Sequence, residues 1–136
     1  MANSDNVLRG GLTPKFVDVP ELVKVLTYQA AEDPRVDLKD AAETGGIKGA
    51  EAWSYPVPIE EFLLDRVELS GEESVEVDSD GPMIVLCTSG SVALSNAEAE
   101  NVSLGAGHAA WIPASDPAAI VRSTGGEDAE VFIARV

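Results

Sequence analysis

Ser74-Val75-Glu76-Val77-Asp78 alternates polar and apolar side chains at every step. A period of two is the pattern of a strand with one face buried and one in water. The same alternation returns at Glu130-Val131-Phe132-Ile133-Ala134, near the end of the sequence. Working outward from these two, the spacing predicts nine short strands, over 53–58, 62–69, 74–78, 83–88, 91–95, 101–104, 108–112, 119–123 and 131–136. Turn formers separate them: Ser70-Gly71, Ser79-Asp80-Gly81, Ser89-Gly90, Gly105-Ala106-Gly107, Pro113-Ala114-Ser115-Asp116 and Gly125-Gly126. Many short strands broken by such turns indicate an all-β antiparallel sandwich or barrel.

Before residue 51 the pattern is different. Residues 1–17 are polar, glycine-rich and aperiodic, which reads as a loop. Asp18-Val19-Pro20-Glu21 then combines an N-cap residue, a proline in the first turn and an acid three positions on. Leu22, Val25 and Leu26 follow at helical spacing, so one short α-helix is expected, ending near Gln29. Residues 30–50, with Gly45, Gly46 and Gly49, read as a long connection. The sequence therefore divides into a loop over 1–17, a helix with its connection over 18–50, and a β-domain over 51–136.

Charge narrows the classes of partner. Nine basic residues stand against 24 acidic ones in 136, a formal charge of -15. Nucleic acid backbones and anionic lipid surfaces would both repel such a surface, so neither is an expected partner. No apolar run is long enough to span a bilayer, and the first thirty residues show no secretory leader pattern. The single cysteine, Cys87, lies in the apolar run Met83-Ile84-Val85-Leu86-Cys87, where it reads as an inert buried thiol. A reducing, cytoplasmic setting fits.

Gly90-Ser91-Val92-Ala93-Leu94, followed by Leu104-Gly105-Ala106-Gly107-His108-Ala109-Ala110-Trp111-Ile112-Pro113, resembles the second half of a cupin jelly roll. There a strand pair leads to a glycine-cornered turn and a strand ending in Ile-Pro. The resemblance implies a cupin-like jelly-roll barrel for the β-domain. Metal-binding cupins carry two or three histidines and a glutamate on these strands, whereas this stretch holds only His108. His108 is accordingly read as a strand residue without catalytic duty, because a zinc site needs three or four ligands. Trp53 and Trp111 read as core or interface residues.

A second resemblance is more specific. Asn3-Ser4-Asp5-Asn6-Val7-Leu8-Arg9-Gly10-Gly11-Leu12-Thr13-Pro14-Lys15, with Asp18-Val19-Pro20-Glu21-Leu22 after it, closely resembles a stretch of the type I mannose-6-phosphate isomerases. These zinc enzymes interconvert mannose 6-phosphate and fructose 6-phosphate. The resemblance makes Arg9 the active-site arginine, near the reacting C1–C2 oxygens, and Lys15 a substrate-phosphate contact. Asp5, Asn6, Gly10 and Gly11 would shape the loop, the first two through hydrogen bonds to backbone. The chemistry agrees with these residue types. Aldose–ketose isomerisation passes through an enediolate, and a fixed cation stabilises the charge developing on its oxygen. Arginine stays protonated, while lysine is a point charge on a flexible stem suited to a terminal phosphate.

The family's zinc ligands are a Gln-x-His pair, a glutamate and a histidine shortly before the arginine segment, and none of them is in this chain. The resemblance therefore implies a C-terminal portion whose zinc and N-terminal catalytic domain lie elsewhere. By that reading the isolated chain binds no metal and is inactive. A fragment of a longer enzyme is preferred to a free-standing module. The competing reading is a non-catalytic cupin module that binds a sugar phosphate or serves only in assembly.

Overall fold

The alternating stretches find partners in two antiparallel sheets. In the computed structural model, which describes residues 7–30, 32–43, 45–56, 58, 61–78, 80–96 and 101–136, eleven strands are formed. They are β1 (Lys39–Asp40), β2 (Ile47–Lys48), β3 (Glu51–Tyr55), β4 (Leu63–Leu69), β5 (Ser74–Val77), β6 (Met83–Ser89), β7 (Ser91–Ser95), β8 (Val102–Gly105), β9 (Ala109–Ile112), β10 (Ala119–Ser123) and β11 (Ala129–Arg135). One sheet has the order β1-β3-β4-β11-β6-β9 and the other β2-β5-β10-β7-β8. This is a cupin-like β fold preceded by one short helix, as the sequence implies. All nine expected strands are present, with ends shifted by a few residues.

The connection over 30–50 is more ordered than its composition suggests. β1 pairs with β3 and β2 pairs with β5, with a 3-10 turn over Ala41–Glu43 between them. The chain forms two compact units, one ending at Pro34 and the other spanning Arg35–Val136. The β-unit thus begins well before residue 51. Strands of two residues carry no period, which is why the sequence does not reveal them.

Within the β-unit, the inward-facing residues of both sheets make one core. Val67, Val75, Val77, Val85, Val92, Val121, Val131 and Ile133 are wholly buried. Valine dominates because β-branched side chains pack well on a pleated surface. Gly90, between β6 and β7, has a φ of 71°, and a Cβ there would strike the Asp128 carbonyl oxygen. Only glycine suits that corner.

Two charged residues share the inward phase. Asp65 is fully buried and Arg135 nearly so. They sit on β4 and β11, where Asp65 lies opposite Ile133 and Arg135 is two residues further along the same face. The Arg135 Nε donates to Asp65 Oδ2 at 2.7 Å, and its Nη2 donates to the Gly45 carbonyl at 2.6 Å. Ser54 Oγ donates to the other carboxylate oxygen. Gly46 lies over the guanidinium with a φ of 84°, where a Cβ would collide with Arg135 and with the Asp78 carbonyl. The pair thus ties the β1–β2 connection to the terminal strand.

The two outer faces differ in character. On the five-stranded sheet, one cross-strand row reads Lys48, Glu76, Ile120, Ser95, and the next reads Ser74, Arg122, Ala93, Ser103. On the six-stranded sheet the corresponding rows read Tyr55, Leu64, Ala134, Ile84, Trp111 and Trp53, Arg66, Phe132, Leu86, Ala109. Tyr55 and Phe132 stack with centroids 6.3 Å apart, and the Arg66 guanidinium lies 5.6 Å from the Trp53 ring centre.

Arg66 also pairs with Glu68 and donates from Nε to Glu130 at 2.7 Å, while Thr88 Oγ1 donates to Glu130 at 2.6 Å. The Thr88 hydroxyl first, and Arg66 second, hold the Glu130 carboxyl below its ordinary value. A depressed carboxyl adds stability that is complete above the unfolded-state value and is lost as pH falls through the folded one. Glu130→Gln is expected to lower stability at neutral pH and to lose less than the wild type between about pH 5 and pH 3. Urea titrations at several pH values would check this, and parallel acid limbs would count against it.

Candidate functional site

The residues singled out from the sequence fall in the first unit, which contains α1 (Val19–Val25). Asp18 caps the helix, its Oδ1 accepting the Glu21 N–H at 3.0 Å, and Pro20 occupies the first turn. The helix stops sooner than expected. Leu26 is extended (φ -67°, ψ 134°) and its N–H bonds the Leu22 carbonyl, so Gln29 lies outside the helix. Nor is the apolar face covered: none of its residues is buried, with Val25 60% and Leu26 49% exposed.

The segment before the helix is a closed loop. The Asp18 N–H donates to the Arg9 carbonyl at 3.2 Å, joining the two ends. Gly10 lies against the helix, where a Cβ would approach Leu22 Cδ2 to 2.9 Å, whereas Gly11 faces open space. Gly10 thus marks where the loop lies close to Leu22. At the far side, Leu12 adopts a left-handed φ of 56° and projects fully into solvent. The Lys15 N–H donates to Thr13 Oγ1 at 3.2 Å, the local turn that presents Lys15. Arg9 and Lys15 are thus carried on one closed loop. Asp5 and Asn6 lie outside the described residues.

The nine cations divide into those that form ion pairs and those that do not. Lys24 binds Glu21, Arg66 binds Glu68 and Glu130, and Arg135 binds Asp65. Among the described residues, Arg9, Lys15, Lys39, Lys48 and Arg122 form no ion pair with a carboxylate, and of these Arg9 and Lys15 share one loop. The Arg9 side chain, half-buried, donates from Nη1 to the Val7 carbonyl at 3.3 Å.

The β-unit adds no catalytic cluster. His108 follows the turn between β8 and β9, is exposed, and uses its backbone N–H on the Gly105 carbonyl and its own carbonyl on the Cys87 N–H. Cys87 is a free, fully buried thiol, and burial pushes its pKa up. Trp53 is half-buried on the outer face of the six-stranded sheet, and Trp111 is 61% exposed. Trp111 is therefore a surface residue, not a core one. Among the described residues, no three His, Cys, Asp or Glu side chains come together in a way that could hold a metal. Nor does any described helix have the length and apolarity to cross a membrane. The sequence reading overlooked the Asp65–Arg135 pair, although both residues share the inward phase of Val67 and Ile133.

Comparison with known proteins places this architecture. No family model matches the chain. Mannose-6-phosphate isomerase of Escherichia coli K12 is 33% identical over 125 residues, 92% of this chain and 30% of that protein. The enzyme of the same name from Eremothecium gossypii is 42% identical over 95 residues, 67% of this chain and 22% of that one. Among solved structures, a lysine-to-alanine variant of phosphomannose isomerase from Salmonella typhimurium superposes with a TM-score of 0.71 at 27% identity, covering 98% of this chain and 31% of that one. The chain spans about 30% of the length of the first two curated relatives it matches.

Proposed function

Because the chain is homologous to the C-terminal portion of mannose-6-phosphate isomerases, we propose that it forms that portion of a zinc-dependent isomerase converting mannose 6-phosphate to fructose 6-phosphate. It would contribute the loop bearing Arg9 and Lys15 together with a supporting β-domain. What carries the reading is the placement of the two cations. In a chain of charge -15 both are held on one closed loop, next to the capped start of the helix.

The roles follow from the chemistry of the reaction. Moving a proton between C1 and C2 places negative charge on the adjoining oxygens. The Arg9 guanidinium would stabilise that charge, most strongly in the transition state. Lys15, exposed on the same loop, would meet the phosphate at the other end of the sugar. The described residues do not fit a zinc ion, so the metal and the general base would belong to the N-terminal catalytic domain of the complete enzyme. Isolated, the chain would be inactive. A reducing, cytoplasmic setting belongs to the same reading, supported by the buried free thiol of Cys87.

The experiment compares two proteins: the chain alone, and the Escherichia coli enzyme with its C-terminal portion replaced by this chain. The first is expected to hold no stoichiometric zinc and to show no turnover, and the second to isomerise mannose 6-phosphate. An active, zinc-loaded isolated chain would overturn the division of labour. A folded, zinc-loaded chimera without turnover would sink the isomerase reading.

A further inference from the structure

The outer faces of the two sheets answer different surroundings. The five-stranded sheet presents Lys48, Glu76 and Arg122 among serines, an ordinary wet surface. The six-stranded sheet presents two rows that cross five strands and carry one charge, Arg66, itself laid over Trp53. Ile84 is 43% exposed, Leu86 36% and Trp111 61%. At one end of these rows Phe62, Ile84, Trp111 and Val136 line an apolar groove of about 150 Å³. Apolar side chains scattered singly on a surface need no explanation, but a contiguous band marks an interaction site. Because both faces belong to the same acidic chain, composition does not explain the difference.

We infer that the outer face of the six-stranded sheet is the surface on which the catalytic portion of the complete isomerase docks. The inference rests on the proposed isomerase reading and adds to it the face that is used. The occupant is argued from length. In the first curated relatives the homologous stretch is about 30% of the polypeptide, so there this fold is joined to a part more than twice its size. A docking partner of that size would cover the band, and the aromatic residues in it, such as Trp111 and Phe132, are the type enriched at such contacts. The adjoining row of the same face, Glu51, Glu68 and Glu130, gives the band a charged border.

Hydroxyl-radical footprinting read by mass spectrometry tests this on the isolated chain and on the Escherichia coli chimera. Trp111 and Ile84 are expected to be labelled at least about tenfold more slowly in the chimera, as contacts that exclude water require, while Arg122 and Ile120 on the other sheet are labelled alike in both. Ile84→Glu should leave the melting temperature of the isolated chain nearly unchanged and lower that of the chimera. Equal labelling of Trp111 in the two proteins would overturn the proposal. So would protection already present in the isolated chain, whether from a second copy, seen as a dependence on concentration, or from its own first unit. If the chimera does not fold, the same footprint is read on the intact Escherichia coli enzyme at the positions structurally equivalent to Ile84 and Trp111, and exposure there overturns the docking face. Labelling is independent of turnover. A protected face in an inactive chimera refutes the isomerase reading alone, and an exposed face in an active one refutes the docking face alone.

Discussion

Asp65→Ala is expected to destabilise the β-unit by about 3–5 kcal/mol, the usual cost of stranding one partner of a buried ion pair. The Arg135 guanidinium would stay inside the barrel with its Nε donor unmet, since Asp65 Oδ2 is the oxygen that receives it. Ser54, buried on β3, would lose its carboxylate partner at the same time. Urea denaturation is the measurement, read as a lower midpoint at unchanged slope. A loss below about 1 kcal/mol, the range of exposed pairs, would show that the pair is not shielded from water as its burial indicates.

A second variant separates the pair from the space it fills. Replacing both partners together with apolar residues, Asp65→Leu with Arg135→Met, should recover most of the loss, because no charge is then left buried. One consequence should remain. The bond from Arg135 to the Gly45 carbonyl is absent in the double variant, so the β1–β2 connection should exchange its amide hydrogens faster even where global stability returns.

The largest effect on activity is expected at Arg9. In the active chimera, Arg9→Ala should lower turnover by about 10²–10³-fold, the usual result of removing a group that stabilises a developing oxyanion. The Michaelis constant should change much less, since the interaction is concentrated in the transition state. Lys15→Ala should do the reverse, raising the Michaelis constant for the phosphorylated sugar with a smaller effect on turnover. Steady-state kinetics on both variants separates the roles. Unchanged turnover in Arg9→Ala would remove it from the catalytic groups. The Arg9 carbonyl, not its side chain, closes the loop on Asp18, so the substitution should leave the loop closed.

The loop was legible in the sequence in its residue types and not in its shape. Asp18, Pro20 and Glu21 announce the start of the helix, because capping is a local exchange between one side chain and the next few amides. The helix end is not announced in the same way. Leu26 continues the helical spacing, yet it takes an extended conformation and is left half-exposed. A seven-residue helix with no buried side chain has little to hold a further turn. Similarly, the nearness of Gly10 to Leu22, twelve residues on, is a contact that no local pattern announces.

By itself the sequence determined which residues of the β-unit face inward. A strand alternates sides at every residue, so Val75 and Val77, or Val131 and Ile133, are assigned to the core wherever their strands come to lie. It likewise determined the turns, since a corner such as Gly90 needs a backbone conformation that few other residues accept. Only the tertiary structure decided which strands are neighbours. β11 lies between β4 and β6, a choice made by chain closure and hydrogen bonding between segments distant in sequence. That choice turns Asp65 and Arg135, two separate charges in an inward phase, into one buried pair. It also lines up Leu64, Ala134, Ile84 and Trp111, scattered along the chain, into a single apolar row. Period fixes a side chain's face because it is local, whereas its neighbours across the sheet depend on contacts that no local stretch encodes.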